Sequence, residues 1–133
     1  MIVKHQGLVP KIDPSAYVAP TAVLCGNVEV GAGARILFGA VLTGEGAPVR
    51  VGKNCVVMEY AVVRASGGRQ RQFPVTLGDN VVVGPHAHLV GCTIESGVII
   101  ETQAEVQNGA VVQREAVVMQ AGIVMAKARV PAR

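Results

Sequence analysis

The strongest constraint on the fold is a six-residue recurrence of aliphatic side chains along nearly the whole chain. It runs with two interruptions and one single-residue slip. The positions it defines are Ile12, Val18, Leu24, Val30, Ile36, Leu42, Val51, Val57, Val63, Leu77, Val83, Leu89, Ile94, Ile100, Val106, Val112, Val118, Val124 and Val130. An α-helix repeats every 3.6 residues, so this period excludes an amphipathic helix and indicates short strands joined by corners.

A second recurrence places a small residue four positions after each aliphatic one. Its members are Ala16, Ala22, Val28, Ala34, Ala40, Cys55, Ala61, Val81, Ala87, Thr93, Val98, Ala104, Ala110, Ala116, Gly122 and Ala128. Strand alternation then points the small and the aliphatic residue inward and the residue between them outward. Glycines and the Gly-Asp-Asn of residues 78–80 supply corner residues. Three such hexads close one triangular coil, so we predict an all-β parallel β-helix of about six coils.

Composition favours this narrow interior over an ordinary core. Half of the residues are hydrophobic but only 3% are aromatic, as expected where each inward position holds one small or branched side chain. A β-sandwich would not keep one register across two interruptions. We predict a single domain, 1–133, with a lead-in at 1–11, coils over 12–133, and loops at 43–50 and 65–75.

The outward residues fall into three stacks, one for each side of the triangle. The first holds Tyr17, Arg35, Val56, Val82, Ile99 and Val117; the second holds Val23, Val41, Val62, His88, Glu105 and Ile123; the third contains Glu29, Arg50, Thr76, Val111 and Arg129. Two of these sides are mainly apolar, which is typical of an interface. We therefore predict a homotrimer, against the alternative that valine is simply a favourable strand surface residue.

Charge and composition exclude several classes of partner. The net charge of +3 comes from scattered residues without interleaved aromatics, so no nucleic-acid surface is indicated. The N-terminal residues lack the apolar core of a signal peptide, and no apolar run could span a membrane. The three cysteines have no paired spacing, which is typical of reduced thiols, and we expect Cys55 to pack inward. A cytoplasmic protein is predicted.

Three stretches resemble a known family. They are KIDPSAYVAPTAVLCGNVEVGAGARILFGAVLTGEG, VRVGKN and above all VTLGDNVVVGPHAHLVGCTI. These stretches resemble the γ-class carbonic anhydrase family of hexapeptide-repeat proteins. The resemblance implies a left-handed β-helix and a trimer that holds a metal between subunits with three histidines. Such a site needs neutral imidazoles and an open position for an activated water.

The family's three histidine positions correspond to Arg64, Pro85 and Val90. An arginine keeps its proton, and proline and valine offer no lone pair, so none of them can bind zinc. The supporting positions also differ: the resemblance places them at Thr43, Glu45, Met58 and Glu59. We therefore expect no zinc and no other cofactor.

The remaining histidines leave two interpretations open. His88 points outward near Arg64 and Glu105, and with Glu45 these residues would form a charged pocket at a trimer interface. The alternative is a functional site, with His88, His86 or Glu59 as acid–base groups or with a relocated metal.

Three functions follow from these observations. The chain would be a degenerate, non-catalytic scaffold or small-ligand-binding protein; VRVGKNCVV also resembles the hexapeptide subunits at the pointed end of dynactin. Many hexapeptide proteins are CoA-dependent acyltransferases with a histidine base, a role open to His86 or His88. We predict no C-terminal helix, and an uncovered last coil with residues such as Ile123 could dock another protein.

Overall fold

The computed structural model of the protein describes residues 1–133 and contains strands and turns but no helix. The strands are β1 (Ile2–Val3), β2 (Lys11–Ile12), β3 (Tyr17–Val18), β4 (Val23–Val30), β5 (Arg35–Ile36), β6 (Val41–Val51), β7 (Val56–Val57), β8 (Val62–Arg64), β9 (Ser66–Gly67), β10 (Gln72–Phe73), β11 (Val75–Leu77), β12 (Val82–Val83), β13 (His88–Val90), β14 (Thr93–Ile94), β15 (Ile99–Ile100), β16 (Glu105–Val106), β17 (Val111–Val112), β18 (Val117–Val118), β19 (Ile123–Val124) and β20 (Arg129–Val130).

The strands stack in parallel on three faces of a left-handed β-helix, which confirms the predicted fold class. Face A consists of β3, β5, β7, β12, β15 and β18. Face B consists of β1, the first parts of β4 and β6, β8, β13, β16 and β19, and face C of β2, the second parts of β4 and β6, β11, β14, β17 and β20. The register of the outward residues on each face is the one that the hexad repeat predicts, except at Thr93 on face C.

The helix has about seven turns, one more than predicted, because it begins before residue 12. Ile2 and Val3 pair in parallel with Leu24 and Cys25, so β1 already belongs to face B. The predicted lead-in of residues 1–11 is therefore partly a strand of the first coil. The hexad pattern missed it because the chain makes a turn between His5 and Leu8, which interrupts the spacing.

The core is a single column of small and branched side chains. Every aliphatic position of the repeat is buried except Ile12, Val18 and Val130, which lie in the end coils and pack against the core while partly exposed. One small position was assigned wrongly. Thr93 is exposed, and Cys92 takes the inward place at 1% exposure, because the one-residue slip falls between Leu89 and Ile94.

The corners require left-handed backbone, and the residues that supply it stack on one another. At the corner between faces A and B these residues are Gly39, Tyr60, His86, Gln103 and Ala121, all with positive φ. Residues other than glycine adopt this conformation at a steric cost, because the Cβ comes too close to the following carbonyl oxygen. At this corner the side chains of Tyr60, His86, Gln103 and Ala121 are exposed on the outside of the helix.

The two predicted loops differ in structure. Residues 43–50 do not form a separate loop, because β6 runs through them with a register shift against β4 between Gly26 and Val28. In the segment 65–75, β9 and β10 form a short antiparallel hairpin. Ser66 bonds to Asn108 at 2.6 Å, and Phe73 lies over Gly91, so the hairpin is fixed against later coils.

Candidate functional site

The B–C end of face B carries two of the three positions at which the resemblance places metal ligands. Arg64 ends β8 and Val90 ends β13, and the two residues pair directly in the parallel register. On the other side of Arg64 lies Thr43 of β6. The Arg64 side chain is exposed, whereas Thr43 and Val90 are half-buried. The chain therefore brings a guanidinium, a hydroxyl and an isopropyl group together in one row.

The third position, Pro85, lies at the opposite end of the same strands. It forms part of the A–B corner just before β13, beside His86. The residues at the three positions do not fit a metal ion, because none of them offers a neutral or anionic donor. No group of three or more His, Cys, Asp or Glu side chains lies close enough together within the chain to hold a metal.

His86 occupies an exposed and restrained position at this corner. Its φ of 59° is left-handed, its amide donates to the carbonyl of Glu59 at 3.0 Å, and its ring stacks on Tyr60. The ring centroids are 5.4 Å apart with an interplanar angle of 17°. The imidazole is thus held flat against an aromatic surface. Glu59 contacts His86 only through its backbone carbonyl. The Glu59 carboxylate makes no hydrogen bond or ion pair with His86.

His88 meets only one of its predicted partners within the chain. Its Nδ1 lies 4.0 Å from Oε1 of Glu105, its direct neighbour on β16, and both side chains are more than one-third exposed. Arg64 makes no ion pair with a carboxylate of its own chain, and Glu45 lies next to His5 instead. The predicted four-residue pocket is therefore divided in a single chain into the pair His88–Glu105, an unpaired Arg64, and Glu45.

His5 lies before the hexad repeat, and the structure places its side chain against the helix. Its Nε2 is buried without a hydrogen-bond partner and lies 3.6 Å from Oε1 of Glu45. Its Cβ approaches Gly26, where an added Cβ would lie 3.4 Å away. No periodic signal could have predicted this contact, because His5 precedes the hexad register.

The cysteines are packing residues or half-exposed thiols, and none forms a disulfide. The Cys55 thiol is buried as predicted and donates to the carbonyl of Gly78 at 2.9 Å. Burial raises its pKa, and burial raises the pKa of Cys92 to about 12. A thiol with so high a pKa is a poor nucleophile at neutral pH.

Several known proteins with similar sequences are γ carbonic anhydrases or γ-carbonic-anhydrase-like proteins. The chain is 38% identical over 97 residues to γ carbonic anhydrase 3, a mitochondrial protein of Arabidopsis thaliana, in a match that covers 71% of this chain and 38% of the relative. It is 42% identical over 89 residues to the mitochondrial γ carbonic anhydrase-like protein 2 of the same plant, covering 65% of this chain and 35% of the relative. No protein-family model matches the chain.

The chain thus resembles the γ-carbonic-anhydrase-like family of hexapeptide-repeat proteins, which confirms the resemblance predicted from the sequence. It spans little more than a third of the length of these plant relatives. A solved structure agrees on the fold: a hexapeptide transferase family protein from Anaplasma phagocytophilum superposes with a TM-score of 0.92 at 23% identity, covering 98% of this chain and 75% of that one. The structure contains no helix with the length and apolarity needed to cross a membrane.

Proposed function

We propose that this chain forms a cytoplasmic homotrimer that has lost the metal site of its family and acts as a non-catalytic scaffold or small-ligand-binding protein. The observation that carries the proposal is the row formed by Arg64 and Val90. The resemblance assigns metal ligands to these two positions and to Pro85, and none of the three side chains can donate to zinc. A permanently charged guanidinium in the row also repels a cation.

The apolar sides of the helix support the trimer. On face A, Tyr17 and Ile99 remain 46% and 42% exposed, and on face B Ile123 remains 60% exposed. Mainly apolar rows on two of the three faces match the two different surfaces that each subunit of a cyclic trimer needs. Ile123 and the neighbouring Met125 are both exposed, and together they would offer an apolar surface to a second protein.

The metal content of the purified protein tests the proposal. Protein prepared from metal-supplemented cells and freed of loosely bound ions should contain far less than one zinc per chain and should hydrate carbon dioxide at the rate of buffer. A matched variant carries Arg64→His, Pro85→His and Val90→His together, and it should gain zinc if assembly brings these positions to one site. Stoichiometric zinc with hydratase activity in the unaltered chain would contradict the proposal.

A relocated metal site is a separate alternative, and it rests on the pair His88–Glu105. These side chains offer two donors on one face, and His86 of a neighbouring subunit is the candidate for a third. This alternative predicts zinc that is retained in Arg64→Ala and lost in His88→Ala. Anomalous scattering at the zinc edge would locate the ion beside His88.

CoA-dependent acyl transfer is the second candidate function, favoured by the exposed, stacked imidazole of His86 and by the accessible His88. A histidine in this setting can act as a general base toward a hydroxyl or an amine. The test is acetyl-CoA hydrolysis together with a CoA-induced shift in melting temperature. Both signals should disappear in His86→Ala or His88→Ala if this function holds.

A further inference from the structure

A polar cavity of about 540 Å³ lies where three non-repetitive segments of the chain meet. Its walls come from the N-terminal turn at Gln6, from Glu45 and Gly46 in β6, and from the β9–β10 hairpin with Arg69 and Gln72. No hydrophobic residue lines it. This cavity differs from the cleft of about 240 Å³ beside Gly84, which is lined mainly by side chains of face A and the A–B corner.

Several hydrogen bonds and side-chain contacts restrain the hairpin that forms one wall of the cavity. Gln72 pairs with Gly67 and Phe73 with Ser66, while the amide of Gly68 donates to the carbonyl of Arg71 at 2.9 Å. The Ser66 hydroxyl reaches Asn108, and the guanidinium of Arg71 lies 5.1 Å from the centre of the Phe73 ring. A site whose walls are fixed before binding avoids the entropic cost of ordering them.

Gly46 of β6 and Gly67 of the β9–β10 hairpin allow these two segments to lie in close contact. A Cβ at Gly46 would lie 3.0 Å from the carbonyl oxygen of Gly67, and both glycines have positive φ. A Cβ at Gly46 would press on the hairpin, and a Cβ at Gly67 would lie 2.1 Å from the carbonyl oxygen of Arg71 within the hairpin, so a side chain at either position would displace this wall. The two glycines therefore keep backbone groups accessible on the cavity wall.

The cavity carries opposite charges that do not neutralise each other. Arg69 has no carboxylate within 4.0 Å anywhere in the chain, and the only basic side chain within 4.0 Å of the Glu45 carboxylate is His5 at 3.6 Å. Gln6 and Gln72 add amide donors and acceptors between them. A guanidinium binds a carboxylate and a carboxylate binds an ammonium group, so a ligand with both groups would satisfy both walls.

We propose that this cavity binds a small zwitterion of the α-amino acid class with a polar side chain. Arg69 receives its carboxylate, Glu45 its ammonium group, and the amides of Gln6 and Gln72 its side chain. The volume lies within the range of small-molecule sites. The proposal goes beyond the loss of the metal site, and it does not depend on the trimer, because every wall belongs to one chain.

Calorimetric titration of the full chain with L-glutamine tests this site. We expect one saturable site per chain. Glutaramate, which lacks the ammonium group, and 4-aminobutanamide, which lacks the carboxylate, should each bind at least about tenfold more weakly, because each loses one charge-assisted contact. Equal binding of glutaramate would overturn the zwitterion in favour of a simple anion site, and no saturation by about 10 mM L-glutamine would overturn the site itself.

Single substitutions distinguish the loss of a contact to the ligand from the loss of the hairpin structure. Arg69→Gln and Glu45→Gln should each weaken L-glutamine binding by about tenfold or more. Arg114→Gln is the matched control, since Arg114 is an exposed arginine outside both the hairpin and the cavity, and it should bind as the unaltered chain does. Binding unchanged in Arg69→Gln, in protein with an unaltered melting temperature, would refute the assignment. Zinc analysis of the same samples reports on the proposed function separately.

Discussion

Phe73 packs directly on Gly91: a Cβ at residue 91 would lie 2.5 Å from the Cβ of Phe73. The same Cβ would lie 2.4 Å from Oδ1 of Asn108, which accepts the hydroxyl of Ser66. One glycine therefore determines whether the hairpin can rest on the β-helix. The hairpin in turn forms one wall of the polar cavity.

Gly91→Ala should detach the hairpin. The new methyl group collides with Phe73 and Asn108, and a φ of 53° strains any side chain there, so we expect a loss of about 1–3 kcal/mol in the free energy of unfolding. Hydrogen exchange of residues 65–73 should accelerate, and L-glutamine binding should weaken. The control for unfolding and hydrogen exchange is Gly68→Ala, because nothing lies within 4 Å of a Cβ at that position. Equal effects of the two substitutions would contradict this account.

Val62→Glu should dissociate the proposed trimer. Val62 lies between Val41 and His88 in the middle of face B, and burying a carboxylate in a subunit interface without a partner is unfavourable. Sedimentation or light scattering should show a monomer that retains its β-rich circular dichroism spectrum. Thr76→Glu on the polar face C is the control and should stay trimeric. A trimer in both variants would show that face B is not the interface.

The fold could be predicted almost completely from the sequence because its determinants are local and periodic. Each coil contacts only its neighbours, so one register assigns the inward and outward residues of every face. The exceptions occur where the period breaks. Because the register slips between Leu89 and Ile94, Cys92 takes the inward position that the repeat assigns to Thr93. The turn at His5 separates the first strand from the hexad spacing, so the pattern does not predict that strand.

The candidate site could be predicted only in part, because its residues depend on contacts between segments with no common period. The row that joins Arg64 to Val90 follows from the hexad register, because each residue comes directly after an aliphatic position of the repeat. The approach of His5 to Glu45 and the return of the hairpin onto Gly91 depend on tertiary packing. Residues that the sequence assigned to one pocket, such as Glu45 and His88, have different partners in the chain.

Gln103→Gly should stabilise the protein or leave it unchanged, although glycine usually weakens regular structure. Gln103 has a φ of 61° at the A–B corner, where a side chain costs about 1 kcal/mol that glycine avoids. Gln107→Gly is the control, because Gln107 is not among the residues with positive φ, and it should lose up to about 1 kcal/mol from the added freedom of the unfolded chain. Urea unfolding measures both. A larger loss of unfolding free energy in Gln103→Gly than in Gln107→Gly would contradict the claim that Gln103 is strained.

Cys92 should make the stability of the protein fall at alkaline pH. Burial raises the pKa of its thiol from 9.0 to about 12 in the folded chain. Because the folded pKa is the higher one, the stabilisation is fully present below pH 9 and is lost as the pH rises toward 12. Within that window the unfolded chain releases a proton that the folded chain keeps, at a cost of up to about 1.4 kcal/mol per pH unit.

Cys92→Ala tests this linkage. Removing the thiol should flatten the decline in the free energy of unfolding between pH 9 and pH 11, as measured by urea titration at each pH. It should also lower stability modestly at pH 7, because Cys92 fills an inward position at 1% exposure. Cys25→Ala, at a half-buried position outside the core column, is the matched control and should retain the alkaline decline. A pH profile that is the same in Cys92→Ala and the unaltered chain would show that Cys92 does not set the alkaline limit.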